Sequence, residues 1–195
     1  MNISVKSSFS IIVAAILLMN PLVSGASAKE EAAPKTKLEA FQNQTGSVLI
    51  KGYTDIGHIV SAEPSTSIVE VRAMEFINAN TKKKERGIVV EITEVSSRMN
   101  VTGSSRAFID YDEVSNLLKG IDYISKTSVD VTKHKQFEVK YTTKGDFSAT
   151  TFNDEDGNIK AAIEVGRISS HVPMDKFAEF RGFIVQAQKT LDDLK

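Results

Sequence analysis

The chain of 195 residues has no cysteine. No disulfide can hold it, no thiolate can act as nucleophile or metal ligand, and no lipid can be carried on a cysteine behind an apolar leader. Histidine is almost as scarce. His58, His134 and His171 lie far apart, and none has another histidine two to five residues on, the spacing of a paired metal ligand. His134 stands between lysines and reads as solvated, and His171 precedes Val172, which carries the core role, so it should point outward. Excess charge of one sign is also missing, since the net charge is −1. Such a chain has no general attraction to nucleic acid or anionic lipid. No Gly-x-Ser-x-Gly stands at a strand-to-helix turn, and no glycine-rich loop precedes a helix. Residues 101–105, VTGSS, read as a plain loop.

Long apolar runs are absent as well. The run at residues 11–19 is far short of the roughly 20 residues that cross a bilayer. Lys6 is the sole charge in the first 28 residues, and Ala26-Ser27-Ala28 follows the run, which is the layout of a secretory signal peptide over residues 1–28. Cleavage is expected before Lys29, with export to the periplasm or the extracellular space. Removing Lys6 leaves 23 basic and 25 acidic residues, a net charge of −2 on a mature chain of 167 residues. That length supports one core without covalent staples.

What is present is a repeat. Residues 104–124, SSRAFIDYDEVSNLLKGIDYI, return in degraded form at 168–187, ISSHVPMDKFAEFRGFIVQA. At a constant offset of 63, Ile109 falls on Val172, Asp112 on Asp175, Val114 on Phe177, Leu117 on Phe180 and Ile121 on Ile184. Each copy reads as a short strand running into an amphipathic helix. Residues 88–92 likewise resemble 161–165, and 48–54 resemble 137–142. Two units too small to cover their own apolar faces are expected to form one domain with pseudo-twofold symmetry.

Taken in order, residues 29–46 form a flexible leader with a short helix at 36–41, where Leu38 and Phe41 share a face. Strands are expected at 47–60, bent near Gly52 and Gly57, then at 67–79, 88–95 and 106–109. An exposed charged link joins them at 78–87, and a polar loop at 96–105. Asp110 is placed to cap the first long helix, with Glu113 reaching back to it. Val114, Leu117, Leu118, Ile121 and Ile124 make its apolar stripe, and Gly120 lets it sit close on a strand. After a polar link at 126–135, strands at 137–143, 146–152, 159–165 and 167–172 are joined through Lys144-Gly145 and Asp156-Gly157, both hairpin signals. The last helix follows Pro173 with Phe177, Phe180, Ile184, Ala187, Leu191 and Leu194 along one seam. Leu191 and Leu194 lie beyond the repeated part and call for a partner: the leader helix, or a second copy, with packing within the chain favoured.

The sum is an α+β domain at 47–195, its halves about 47–126 and 136–195, built from duplicated β-β-β-β-α units whose antiparallel sheets carry helices packed together. In element order over residues 47–194 it resembles the Whirly and PC4-type fold, in which two such units present outward-facing sheets. That resemblance implies an arrangement and carries over no functional residue.

Two charged segments bear on function. In 154–159, Asp154, Asp156 and Gly157 fit the third, fifth and sixth positions of a calcium loop, but Phe152 and Ile163 occupy the first and twelfth, so a hairpin turn is expected. The basic tip at 82–86 reads as a solvated hairpin. No catalytic, cofactor-binding or metal residue is expected and no cofactor is implied. The favoured reading is an exported, soluble, non-catalytic binding or structural protein, a monomer or weak homodimer with a protein or small-molecule partner rather than nucleic acid. A small-ligand carrier with a pocket between sheet and helices comes second. A hydrolase with a site assembled from distant residues comes third.

Overall fold

The computed structural model describes residues 33–61, 66–95 and 100–194. The expected signal peptide and the expected cleavage point before Lys29 lie outside the described residues, as do positions 96–99 of the expected polar loop. A short helix α1 (Lys37–Gln42) opens the described chain, with the Thr36 side chain accepting from the Glu39 amide. Strands β1 (Leu49–Ser61), β2 (Ser67–Asn78), β3 (Lys84–Val95) and β4 (Val101–Asp110) then form an antiparallel sheet in chain order. A 3-10 turn (Tyr111–Glu113) leads into α2 (Val114–Ile124). The same order recurs in β5 (Glu138–Thr142), β6 (Phe147–Asn153), β7 (Ile159–Val165) and β8 (Ile168–Val172), followed by α3 (Met174–Asp192). The class is α+β, with two antiparallel four-stranded sheets plus helices. No helix among the described residues is long and apolar enough to cross a membrane.

Alternation along each strand sets which face is buried. Val69, Val71 and Ala73 of β2 share an inner face with Ile88, Val90 and Ile92 of β3 and with Ala107 and Ile109 of β4. Phe147, Ile163 and Val172 do the same for the second sheet. The helices that cover these faces are exchanged: α3 packs chiefly on β1, β2 and β3, whereas α2 packs on β5 and β6. Each half therefore finishes the core of the other. Gly120 permits the close seat of α2, since a Cβ there would stand 2.3 Å from the Tyr141 ring. Gly57, at the bulge of β1, does likewise for α3, because a Cβ would meet the Phe183 ring at 2.5 Å. Arg181 of α3 donates to the Asp122 carboxylate of α2, with Nη2 to Oδ2 at 3.0 Å.

Several expectations need correction. Asp110 does not cap α2: its carboxylate accepts from the amides of Lys37 at 2.9 Å and Leu38 at 3.0 Å, so it caps α1 from across the chain. The intervening 3-10 turn carries α2 away from Asp110, and Glu113 accepts instead from the Lys144 amide at 3.2 Å. Leu118 lies half-buried at the margin of the stripe. Both long hairpins of the first sheet are tighter than their charge and glycine content implied, with β3 beginning at Lys84 and β4 at Val101. Lys84 fits in a strand because Glu75 across the ladder pairs with it at 3.5 Å. In the Lys144-Gly145 turn, the positive φ falls on Asp146, at 62°. The glycine is needed because a Cβ would lie 2.0 Å from the Phe108 carbonyl oxygen.

The partner of Leu191 is the main core, where it is fully buried, and not the leader helix. Leu38 and Phe41 of α1 form a separate small cluster with Met74, Phe76, Val89 and Phe108 on the back of the first sheet.

Candidate interaction surface

The face of the first sheet turned away from the core is apolar at the end covered by α1 and charged elsewhere. Every strand contributes to the charged part: Asp55 of β1, Glu70 and Arg72 of β2, Glu91 of β3 and Arg106 of β4. Register explains how they join. Glu70 and Glu91 stand directly opposite one another, a destabilising like-charge pair. Arg72, two residues along from Glu70, relieves it by donating Nη2 to Glu70 at 3.0 Å and Nη1 to Glu91 at 3.0 Å, with Nε to Asp55 at 2.8 Å. The planar fork of arginine makes this three-way contact possible. Arg106 donates to Glu91 at 2.9 Å and the Ser104 hydroxyl donates to it at 3.0 Å.

Burial pushes the Glu91 carboxyl up, but hydrogen bonds from Arg106 and Ser104 and the charges of Arg106 and Arg72 outweigh it, so its pKa is held below the ordinary glutamate value. Burial likewise opposes the Arg72 charge, and the carboxylates around it more than offset that, raising its pKa.

Beside this network runs an open edge. β1 is the end strand of its sheet, and Ile50 through Asp55 are exposed. The Ala79 amide donates to the Val48 carbonyl at 2.9 Å, and Leu49 stands opposite Asn78. Antiparallel ladders alternate between bonded and non-bonded pairs. Ile50, Gly52 and Thr54 thus exchange bonds with β2, while Lys51, Tyr53 and Asp55 aim their amides and carbonyls away from the sheet. Tyr53 is 61% exposed and Ile50 52%, and the Lys51 ammonium sits 5.8 Å from the Tyr53 ring centroid. Large apolar groups and unpaired backbone on one edge make a template for another strand.

The other charged features are occupied by the fold itself. The Asp154 carboxylate accepts from the amides of Asp156 at 3.1 Å and Asn158 at 2.8 Å, which makes the acidic segment an Asx-type hairpin turn with Gly157 at φ 86°. The amide of Asn158 is the main cause that holds the Asp154 pKa low. Of the basic tip only Lys82 and Lys83 lie in the turn. Arg86 points inward over the Tyr111 ring, 4.7 Å from its centroid, and donates to the Leu191 carbonyl at 3.0 Å. The groove there, between α1, β3 and the end of α3, is lined by Lys37, Lys84 and Arg86 with Glu75 and Asp112, and its cations are each engaged. His58 is exposed on β1, His134 lies in the link, and His171 faces outward against the Phe152 ring at 5.3 Å. Among the described residues, no group of three or more histidine, aspartate or glutamate side chains could hold a metal ion.

The edge of β1 was missed by sequence reasoning. Its signal was available in Lys51, Tyr53 and Asp55, which alternate on one face, but which strand ends a sheet is a property of topology. These features define a cysteine-free α+β protein that offers a charged sheet face and an open strand edge at β1. No protein-family model, curated protein or solved structure matches the chain.

Proposed function

We propose that the chain is an exported, non-catalytic binding protein that works through the outer face and open edge of its first sheet. The observation that carries this reading is the exposure of Ile50 and Tyr53 on an end strand whose outward amides and carbonyls have no ladder partner among the described residues. The repeated element order supports a duplication with pseudo-twofold symmetry. Its resemblance to the Whirly and PC4-type arrangement is one of element order alone. Nucleic acid does not suit the surface, because Arg72 and Arg106 are already committed to Asp55, Glu70 and Glu91.

The carrier reading stays second, since the volume between sheets and helices is filled by Phe147, Phe177, Phe180 and Ile184, each fully buried. A site-specific photo-crosslinker at His58, with Lys119 of α2 as control, tests the proposal in the producing cell. Protein adducts should arise from position 58 and not from 119. Equal labelling at both positions, or none at 58, overturns it. Intact-mass measurement of exported material should give a chain beginning at Lys29, and retention of Met1 on that material would exclude cleavage there.

A further inference from the structure

We infer that the occupant of the open β1 edge is a second copy of the same chain, paired antiparallel through residues 51–55 about a twofold axis at Tyr53. This rests on the reading of β1 as the binding edge and adds its partner. Only registers that set outward-facing residues against outward-facing residues can form a ladder, which restricts the choices to those matching positions 51, 53 and 55 among themselves. Centred on Gly52, the pairing would oppose Lys51 to Tyr53 and Leu49 to Asp55, leaving Lys51 without an opposite charge. Centred on Tyr53, it opposes Lys51 to Asp55 of the partner subunit at both ends, where one carboxylate oxygen keeps its bond from Arg72 and the other faces the ammonium, with the two tyrosines side by side. Opposite charges and paired aromatics directly across a ladder are both stabilising.

The other face agrees. In the Tyr53-centred register, Ile50 comes to the end of the pairing beside the bulge residue Ile56 of the partner subunit, whose half-buried side chain packs on the core. The exposed Ile50 side chain thereby gains apolar cover. Lys51 and Asp55 otherwise guard the edge by placing charge on it, and the bulge after Asp55 limits the ladder to a few residues. The same charges that deter a foreign strand complement an identical one. A contact of this length falls below the roughly 1,200 Å² of stable interfaces, so association is reversible and depends on concentration.

Sedimentation of the exported protein up to about 1 mM tests this, since that concentration populates a dimer of millimolar or tighter Kd. The wild type should form a dimer. Lys51→Glu and Asp55→Lys should each weaken it at least tenfold, and the double variant should recover most of the loss, because the swapped charges attract again. Tyr53→Pro, which removes an outward amide and leaves the bonds to β2, should abolish association with a cooperative melt retained. A monomer throughout, single variants that dimerise unchanged, or a double variant with no recovery overturns the pairing. Crosslinks from position 58 to a different protein, with no self-adduct, would refute the second copy and leave the binding edge standing. No adduct at all would remove both.

Discussion

Two glycines in long helices should respond oppositely to one methyl group. Gly182 lies in α3 with nothing within 4 Å of a Cβ, whereas Gly120 in α2 faces the Tyr141 ring. Glycine inside a helix costs about 0.5–1 kcal/mol against alanine, so Gly182→Ala should raise stability by that amount in urea unfolding. Gly120→Ala gains the same propensity and then forces Tyr141 from its place, an overpacking cost of about 1–3 kcal/mol. A stabilised Gly120→Ala would mean that α2 does not sit on β5 as closely as described. The wish for a close seat was legible in the sequence as a glycine within an apolar stripe. The object it sits against was not, because Tyr141 belongs to the other half.

Asp110 shows the same limit. An acidic residue ahead of an apolar stripe with glutamate three places on is the local signature of a cap, and here the carboxylate serves a helix more than 70 residues earlier. Asp110→Ala should cost about 1–2 kcal/mol, as loss of a cap does. Hydrogen exchange identifies which helix pays, and the amides of Lys37 and Leu38 should lose protection while those of α2 keep theirs. Loss at the start of α2 would restore the local reading.

At the scale of elements, the strands and their faces were readable because alternation has period two and the buried centre of the inner face is apolar. The lengths of β3 and β4 were not, since Lys84, Arg86 and Ser104 look like loop residues until their cross-strand partners are known. The charge network of the first sheet is the clearest case. Glu91, drawn below the ordinary glutamate pKa by Arg106 and Ser104 against the opposing effect of burial, stabilises the fold most above its unfolded pKa of about 4.3. That contribution is lost as pH falls through the lower folded value. Glu91→Gln should therefore be less stable than wild type at pH 7 by about 1 kcal/mol, modest because the pairs are partly screened. The two proteins should converge as acid unfolding proceeds below pH 4. A difference that persisted unchanged at pH 3 would show that packing, and not charge, separates them.

For the whole molecule, the repeat disclosed two units of one element order, and the constant offset matched Leu117 to Phe180 and Ile121 to Ile184 on buried faces. It could not disclose that the helices change places, because an apolar stripe fits any apolar face of the right curvature. The exchange makes the halves mutually dependent. Without residues 136–195, the first sheet loses Phe177, Phe180, Ile184 and Leu191, all fully buried in the core. At about 1.5–3 kcal/mol for each such side chain, that loss rivals the 5–15 kcal/mol of a typical domain. Residues 33–126 and 136–195 produced separately should each lack a cooperative thermal transition, and mixing them should restore one. Near-native melting of the first segment alone would show that α2 can return to cover its own sheet, and that the exchange does not hold the fold together.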